Sequence, residues 1–196
     1  MKKDIILAGV GGQGVLSIAA IIARAAVAEG LTVRQSEVHG MAQRGGAVLA
    51  HLRIAEGSIP SDLIPQGGAD LIISMEALES LRYARWLSPQ GALVTAAEPF
   101  VNIPDYPDMT AVRQAIEGFP VYRLIEAARL AREAGHPRSV NMVMVGAGSH
   151  FLPVKPETLD NTLGKIFSAK SPAAAEANRQ AFWLGRKAAD GKGNAG

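Results

Sequence analysis

The residues best suited to bind a charged ligand stand in a glycine-rich stretch near the N-terminus. Glycines 9, 11 and 14 follow an apolar run, and their spacing suits a loop whose backbone N–H groups approach a phosphate. A helix beginning near Val15 would place the positive end of its dipole behind those groups. An alternative is that the glycines only permit a sharp strand-to-helix turn. The predicted ligand-binding or interface residues of this loop are Gly11, Gly12, Gln13 and Gly14.

A second polar stretch covers residues 37–46 and directly follows an expected strand. Arg44 carries a planar fork that suits a carboxylate or a phosphate, His39 is a neutral or cationic donor, and Gln43 both donates and accepts. The carboxyl edge of an open α/β sheet is where ligands usually bind. We therefore predict a binding or interface role for these three side chains, with a plain surface loop as the alternative.

Glu37 keeps a different hypothesis open. An acidic residue roughly 20 positions after a glycine loop is where NAD-binding domains place their ribose ligand. A stand-alone NAD(P)- or nucleotide-binding Rossmann protein is therefore the alternative function. Against it, the sequence shows no Tyr-x-x-x-Lys motif and no obvious catalytic His and Asp pair. A solvated or salt-bridged loop residue is the other interpretation of Glu37.

The elements that would position these residues are predicted from apolar periodicity. Strands alternate with helices in the first half, which indicates an α/β, Rossmann-like three-layer sandwich with a mostly parallel sheet. The C-terminal part is predicted to be helical. We expect a single domain over residues 1–188 and a flexible tail over 189–196. The predicted strands are 3–10, 31–36, 47–54, 69–74, 91–96 and 120–123, and the predicted helices are 14–29, 76–86, 109–117, 124–134, 156–167 and 172–187. One more helix is predicted to run through residue 143 to residue 151, with Ser139 or Asn141 as its cap.

Composition excludes several classes of protein. The chain is 48% hydrophobic with no apolar run of the roughly 18 residues that a membrane span needs, so we expect a soluble, cytoplasmic protein. It has no cysteine, which excludes disulfides, thiolate zinc sites and an iron–sulfur cluster held by this chain alone. Its four histidines lack metal-ligand spacing, so no metal site is predicted. A net charge of +2 with 5% aromatic residues does not suit nucleic-acid binding.

Four segments together resemble the gamma-type subunit or domain of 2-oxoacid:ferredoxin oxidoreductases. The resemblance rests on the glycine loop, the second polar stretch with its His-Gly-Met-Ala-Gln-Arg-Gly-Gly run, and two apolar stretches; they cover residues 9–15, 37–46, 65–76 and 141–153. The second stretch is most similar to the small subunit of the indolepyruvate enzymes of this family. Because the motifs occur in order along nearly the whole chain, they are more specific than the glycine loop alone.

The resemblance implies oxidative decarboxylation of an aryl pyruvate to an acyl-coenzyme A, with electrons passed to ferredoxin. It implies that thiamine diphosphate, Mg²⁺ and 4Fe-4S clusters belong to a large partner subunit, that coenzyme A is a substrate, and that this chain holds no catalytic residue. It further implies that the glycine-loop amides and Gln13 face an anion or the partner subunit. By the same resemblance, His39, Gln43 and Arg44 supply polar contacts near the substrate or coenzyme A.

Overall fold

Six strands and seven α-helices make up the part of the chain that a computed structural model describes, residues 1–38, 45–101, 103–169 and 171–190. The strands are β1 (Lys2–Val10), β2 (Thr32–Val38), β3 (Ala47–Ala55), β4 (Ala69–Ser74), β5 (Leu87–Ala96) and β6 (Tyr122–Ile125). The helices are α1 (Val15–Ala28), α2 (Ala77–Arg82), α3 (Met109–Glu117), α4 (Ala127–Glu133), α5 (Val140–Gly148), α6 (Pro156–Ser168) and α7 (Pro172–Ala189). Short 3-10 turns at Ala84–Trp86 and Ser149–Phe151 follow α2 and α5.

The strands form one sheet in the order β2-β3-β1-β4-β5-β6. The pairs β1–β4, β4–β5 and β5–β6 are parallel, whereas β3 is antiparallel to both β1 and β2. This confirms the α/β sandwich with a mostly parallel sheet. β2 runs in the same direction as β1, but β3 lies between them. Residues 49–55 of β3 are all buried, which suits a strand with a neighbour on each side and layers on both faces.

Helices cover both faces of the sheet. Ile5 and Leu7 of β1 point into a core shared with α1, α5 and α7, where Phe182 is fully buried. Ile6 points to the opposite face, into a smaller core with α2 and α3. Successive residues of a strand face opposite sides, so burial of both sides explains why the parallel strands read as continuous apolar runs.

Several element boundaries differ from the prediction. The helix expected over 76–86 ends at Arg82 and continues as a 3-10 turn, and β5 begins at Leu87, where the pairing with β4 shifts register. The helix expected from Leu124 begins at Ala127, because β6 extends to Ile125 to pair with Ala96 of β5. At β6, strand pairing prevails over local helix propensity.

The structure decides the start of α5 and moves the end of α7. The α5 helix begins at Val140 with Ser139 at its N-cap position, which is one of the two predicted caps. The α7 helix continues through Ala189, which we assigned to the tail. Ala189 is buried, and its carbonyl accepts a hydrogen bond from Arg123 Nε at 2.8 Å. Residues 191–196 of the expected tail lie outside the described residues.

The α5 and α7 helices pack closely against each other at Gly146 and Gly185. A Cβ atom on Gly146 would lie 1.9 Å from the carbonyl oxygen of Phe182, and one on Gly185 would lie 2.0 Å from the carbonyl oxygen of Val143. Glycines facing each other thus let α5 and α7 touch backbone to backbone. This packing sets α5 on the sheet with its N-terminus beside the glycine loop, where Asn141 contacts Gly14.

Across the described ranges, no helix combines the length and the apolar character that crossing a bilayer would require.

Candidate functional site at the carboxyl edge of the sheet

The glycine loop joins β1 to α1 at the carboxyl edge, as predicted. Gly14, the N-cap residue of α1, has φ 82°, and Gly12 has φ 100°, a region that favours glycine. The N–H of Gly11 donates to the carbonyl of Gly46 at 2.8 Å, and the N–H of Gly45 donates back to Gly11 at 3.3 Å. The loop is therefore fixed to the residues that lead into β3.

Gln13 turns its side chain into the loop. Its Oε1 accepts a hydrogen bond from the N–H of Val10 at 2.7 Å, and its Nε2 donates to the carbonyl of Met75 at 3.4 Å. Gly9 has to be glycine here, because an added Cβ would lie 2.9 Å from the Met75 side chain. The sequence suggested that Gln13 faces an anion or a partner, whereas in the structure it joins the glycine loop to the end of β4.

The backbone N–H groups of the loop are open. Four N–H groups donate no hydrogen bond within the described residues; they belong to Gly12, Gly14, Val15 and Leu16. The first turn of α1 has no acidic side chain that would repel an anion. Unsatisfied N–H groups at a helix N-terminus, together with the helix dipole, can bind a phosphate or a carboxylate.

Asn141 is a site residue that the sequence analysis considered only as a helix cap. Its Nδ2 lies 2.9 Å from where a Cβ on Gly14 would be, so the carboxamide rests directly against the loop. The sequence offered Asn141 as a cap of α5, but Ser139 holds the N-cap position and Asn141 lies one residue into the helix. Its half-buried carboxamide has no hydrogen-bond partner within the described ranges, which leaves a donor and an acceptor beside the open N–H groups.

Glu76 is the second residue that sequence reasoning missed. It follows β4, is 1% exposed, and caps α2 by accepting from the N–H of Glu79 at 2.7 Å. Its other oxygen accepts from the N–H of Phe100 at 3.3 Å and from the hydroxyl of Tyr106. Burial and the hydrogen bond to Glu76 raise the pKa of Tyr106 well above its ordinary value. Burial likewise raises the pKa of Glu79, although Arg82 opposes the shift.

The second polar stretch is only partly described. His39, Gln43 and Arg44 lie outside the described residues. The residues on either side are at the site, because Val38 ends β2 opposite Leu49 and Gly45 bonds to the glycine loop. Glu37 was interpreted either as a ribose ligand or as a loop residue. In the structure it lies within β2, where its carboxylate accepts a hydrogen bond from Gln35 Nε2.

Buried charges at the other end of β1 are part of the scaffold. Arg53 forms two hydrogen bonds to Asp4, at 2.8 and 2.9 Å, and donates to the carbonyls of Ser61 and Leu63. Burial alone would raise the pKa of Asp4, but the hydrogen bonds from Arg53 and Lys2 outweigh it and lower that pKa.

His51 lies on the same face of β3 as Arg53. Its Nδ1 accepts from the N–H of Ile64 at 3.1 Å. Burial, with a contribution from Arg53, lowers the pKa of His51 below its ordinary value of 6.5. The neutral ring therefore fixes the extended segment before β4 and takes no part in the site at the carboxyl edge.

A cavity of about 580 Å³ lies between α6 and α7. It is lined by Asp160, Asn161, Gly164, Lys165, Ser168 and Arg179. Arg179 forms two hydrogen bonds to Asp160, so its charge is already paired. None of the glycine-loop residues lines this cavity. In residues 1–38, 45–101, 103–169 and 171–190 there is no group of three or more His, Cys, Asp or Glu side chains that could hold a metal ion.

Comparison with known proteins gives one consistent family. The family model described as pyruvate ferredoxin/flavodoxin oxidoreductase matches residues 4–188. The indolepyruvate oxidoreductase subunit IorB of Pyrococcus horikoshii is 35% identical over an alignment 198 positions long, which covers 96% of this chain and 97% of that protein.

Solved structures share the fold. A 2-oxoglutarate:ferredoxin oxidoreductase from Magnetococcus marinus, with 2-oxoglutarate, coenzyme A and succinyl-CoA bound, matches with a TM-score of 0.77 and 23% identity over 96% of this chain and 31% of that chain. The pyruvate oxidoreductase subunit PORC of Thermotoga maritima matches with a TM-score of 0.72 and 23% identity over 95% of this chain and 96% of that chain. The family match over nearly the whole sequence confirms the resemblance seen in the motifs, and the chain belongs to the pyruvate ferredoxin/flavodoxin oxidoreductase family.

Proposed function

We propose that this chain is the small subunit of a heteromeric 2-oxoacid:ferredoxin oxidoreductase that acts on an aryl pyruvate such as indolepyruvate. The observation that carries the proposal is the 35% identity to an IorB subunit over almost the full length of both chains. In the proposed reaction the oxoacid loses CO₂, its acyl group is joined to the thiol of coenzyme A, and two electrons pass to ferredoxin. The stand-alone NAD(P)-binding alternative is not favoured, since the family match covers residues 4–188 and β3 separates the strand of Glu37 from the strand before the glycine loop.

The redox cofactors of this reaction would be held by a large partner subunit. Iron–sulfur clusters need cysteine thiolates, and this chain has no cysteine, so its residues do not fit a cluster. Thiamine diphosphate with Mg²⁺ and the 4Fe-4S clusters therefore belong to the partner in our proposal, and ferredoxin meets the complex through that partner. No residue of this chain is proposed to take part directly in the chemistry.

The contribution of this chain is a site for the anionic part of coenzyme A. The open N–H groups of the glycine loop, backed by the dipole of α1, suit one of its phosphates. The Asn141 carboxamide, which rests against Gly14, is placed to donate to the same anion. If the loop instead only shapes the interface with the partner, substitutions there change assembly and leave the Michaelis constant for coenzyme A unchanged.

His39, Gln43 and Arg44 complete this site in the proposal. Their flanking residues stand at the carboxyl edge, and the Arg44 guanidinium suits either a coenzyme A phosphate or the oxoacid carboxylate. Loss of such a charge-assisted contact costs about 1.5–3 kcal/mol. The Arg44→Ala complex is therefore expected to show a raised Michaelis constant for coenzyme A or for the oxoacid. Unchanged constants for both would remove Arg44 from the site.

Recovery of the native complex tests the proposed function. The tagged chain is captured from the cytoplasm of its own cells, where we propose that it works, and the eluate is assayed for viologen reduction that depends on indolepyruvate and coenzyme A. The proposal predicts a brown eluate with a large cysteine-rich partner and activity that requires both substrates. A colourless protein recovered alone, inactive with indolepyruvate, phenylpyruvate, pyruvate and 2-oxoglutarate but binding NADH, would contradict it.

A further inference from the structure

We infer that residues 98–101 and 103–107 form a docking element for the large subunit, anchored by Glu76. The inference rests on the proposed function and names the surface through which the partner meets this chain. Eight large hydrophobic side chains are exposed in the described residues, and three of them, Phe100, Val101 and Ile103, lie in this one segment. Val101 is 68% exposed, more than any of the other seven. Such clustering marks an interaction surface, whereas single exposed apolar residues are ordinary.

The segment is anchored on both sides of its exposed apolar residues. Before them, the Glu98 carboxylate accepts from the N–H of Ala128 at 2.9 Å, at the start of α4. Glu76 then holds the N–H of Phe100 and, after the apolar residues, the hydroxyl of Tyr106. Prolines at 99, 104 and 107 restrict the backbone further.

This arrangement keeps apolar side chains in water on a rigid support. Burying the Glu76 carboxylate is unfavourable unless its oxygens are hydrogen-bonded, and two of its three partners come from this segment. A rigid segment loses little conformational entropy when it binds, so it is suited to present Phe100 and Val101 to another surface.

The docking element is continuous with the glycine loop. Residues 98–107 follow the carboxyl end of β5, and Glu76 follows the carboxyl end of β4. The residue before Glu76, Met75, accepts the hydrogen bond from Gln13 of the loop. Leu16, at the start of α1, is 37% exposed and adds an apolar side chain on the loop side. A protein bound to the docking element would therefore also cover the proposed coenzyme A site.

The large subunit is the occupant that fits this surface. Residues 99–104 carry no charge, which is typical of the centre of a protein interface. A stable interface buries about 800 Å² on each partner, more than three side chains offer, so it has to extend along the carboxyl edge over the glycine loop. In the Magnetococcus marinus structure the same fold makes up 31% of a longer chain, so there the unit is joined to further parts of one polypeptide. That favours a different subunit over a second copy.

Two matched lysine substitutions test the docking element. Val101 is 68% exposed and Val27, near the C-terminal end of α1, is 61% exposed, so Val27→Lys is a control of equal chemistry away from the carboxyl edge. The dissociation constant of each full-length variant for the purified large subunit is measured by calorimetry. We expect about a tenfold increase for Val101→Lys, as for an interface hot spot, and less than about twofold for Val27→Lys.

Tyr106→Phe tests the support from Glu76. It removes one hydrogen bond to a buried carboxylate and no exposed apolar surface, so we expect a melting temperature lower by several degrees, faster hydrogen exchange at the Phe100 amide, and weaker binding of the large subunit. Unchanged exchange and unchanged binding would show that Glu76 does not hold the segment.

The outcomes separate this inference from the proposed function. Equal dissociation constants for the wild type, Val101→Lys and Val27→Lys in an active complex would overturn the docking element alone. A wild-type dimer that Val101→Lys converts to monomer, with no effect on large-subunit binding, would overturn it in favour of a second copy. A wild-type chain that does not bind the large subunit at all would overturn both proposals.

Discussion

Gln13→Ala distinguishes an internal role of the glycine-loop side chain from a ligand contact. In the structure, Gln13 Oε1 is the acceptor for the N–H of Val10, a residue that is 1% exposed. Removing the carboxamide leaves that N–H without a partner and with little access to water, a cost of about 1–3 kcal/mol. Loss of the longer bond to Met75 adds a smaller amount. We therefore expect the free energy of unfolding to fall by about 1–3 kcal/mol.

Urea unfolding of the isolated chain, followed by circular dichroism, measures this change. Gln66→Ala is the control, because Gln66 is exposed and no side-chain hydrogen bond joins it to the described residues; it should stay within about 0.5 kcal/mol of the wild type. Gln13→Glu keeps an oxygen for Val10 but turns a second oxygen toward the Met75 carbonyl, and should also destabilise. Unchanged stability of Gln13→Ala, with a raised Michaelis constant for coenzyme A in the complex, would refute the internal role.

Three further predictions concern the scaffold. Asp4→Asn leaves the buried Arg53 guanidinium without its counter-charge and should lower the free energy of unfolding by about 3–5 kcal/mol in urea; a loss below about 1 kcal/mol would contradict a buried pair. Gly185→Ala places a Cβ 2.0 Å from a carbonyl of α5 and should lower the melting temperature, whereas Gly164→Ala in α6, with 3.8 Å to its nearest neighbour, should leave it equal or higher. The pKa of His51 is lowered in the folded state, so its contribution to the free energy of unfolding is fully present above about pH 6.5 and is lost as the pH falls below that value. We expect His51→Gln to flatten this part of a curve of unfolding free energy against pH. An unchanged slope would refute the assignment.

Local sequence signals predicted the elements that depend on local chemistry. The α3 helix occupies the predicted range 109–117, with Asp108 capping it through the N–H groups of Thr110 and Ala111. The turn after β1 follows from its glycines in the same way. The place of β3 did not follow, because an apolar pattern shows that a strand is buried but not which strands it pairs with. Inserting β3 between β1 and β2 required the pairing itself.

The site was predicted in outline and missed in its contacts. The sequence located the glycine loop at the carboxyl edge, but Gln13 bonds to a residue 62 positions away, and Glu76 bonds to Tyr106 across 30 positions. Spacing along the chain carries no information on such contacts. Asn141 and Glu76 were likewise assigned to helix starts, because at that position a polar residue usually serves as a cap. Asn141 contacts the loop only because glycine-to-glycine packing of α5 on α7 sets it there.

In the function that we propose, this chain completes an oxoacid oxidoreductase that neither subunit forms alone. The most direct test of this function is a titration of the purified chain into a fixed amount of purified large subunit, with viologen reduction recorded in the presence of indolepyruvate and coenzyme A. We expect no activity for the chain alone. The rate of viologen reduction should rise with added chain and level off at a fixed ratio of the two subunits. A large subunit that is fully active with coenzyme A before any chain is added would contradict it.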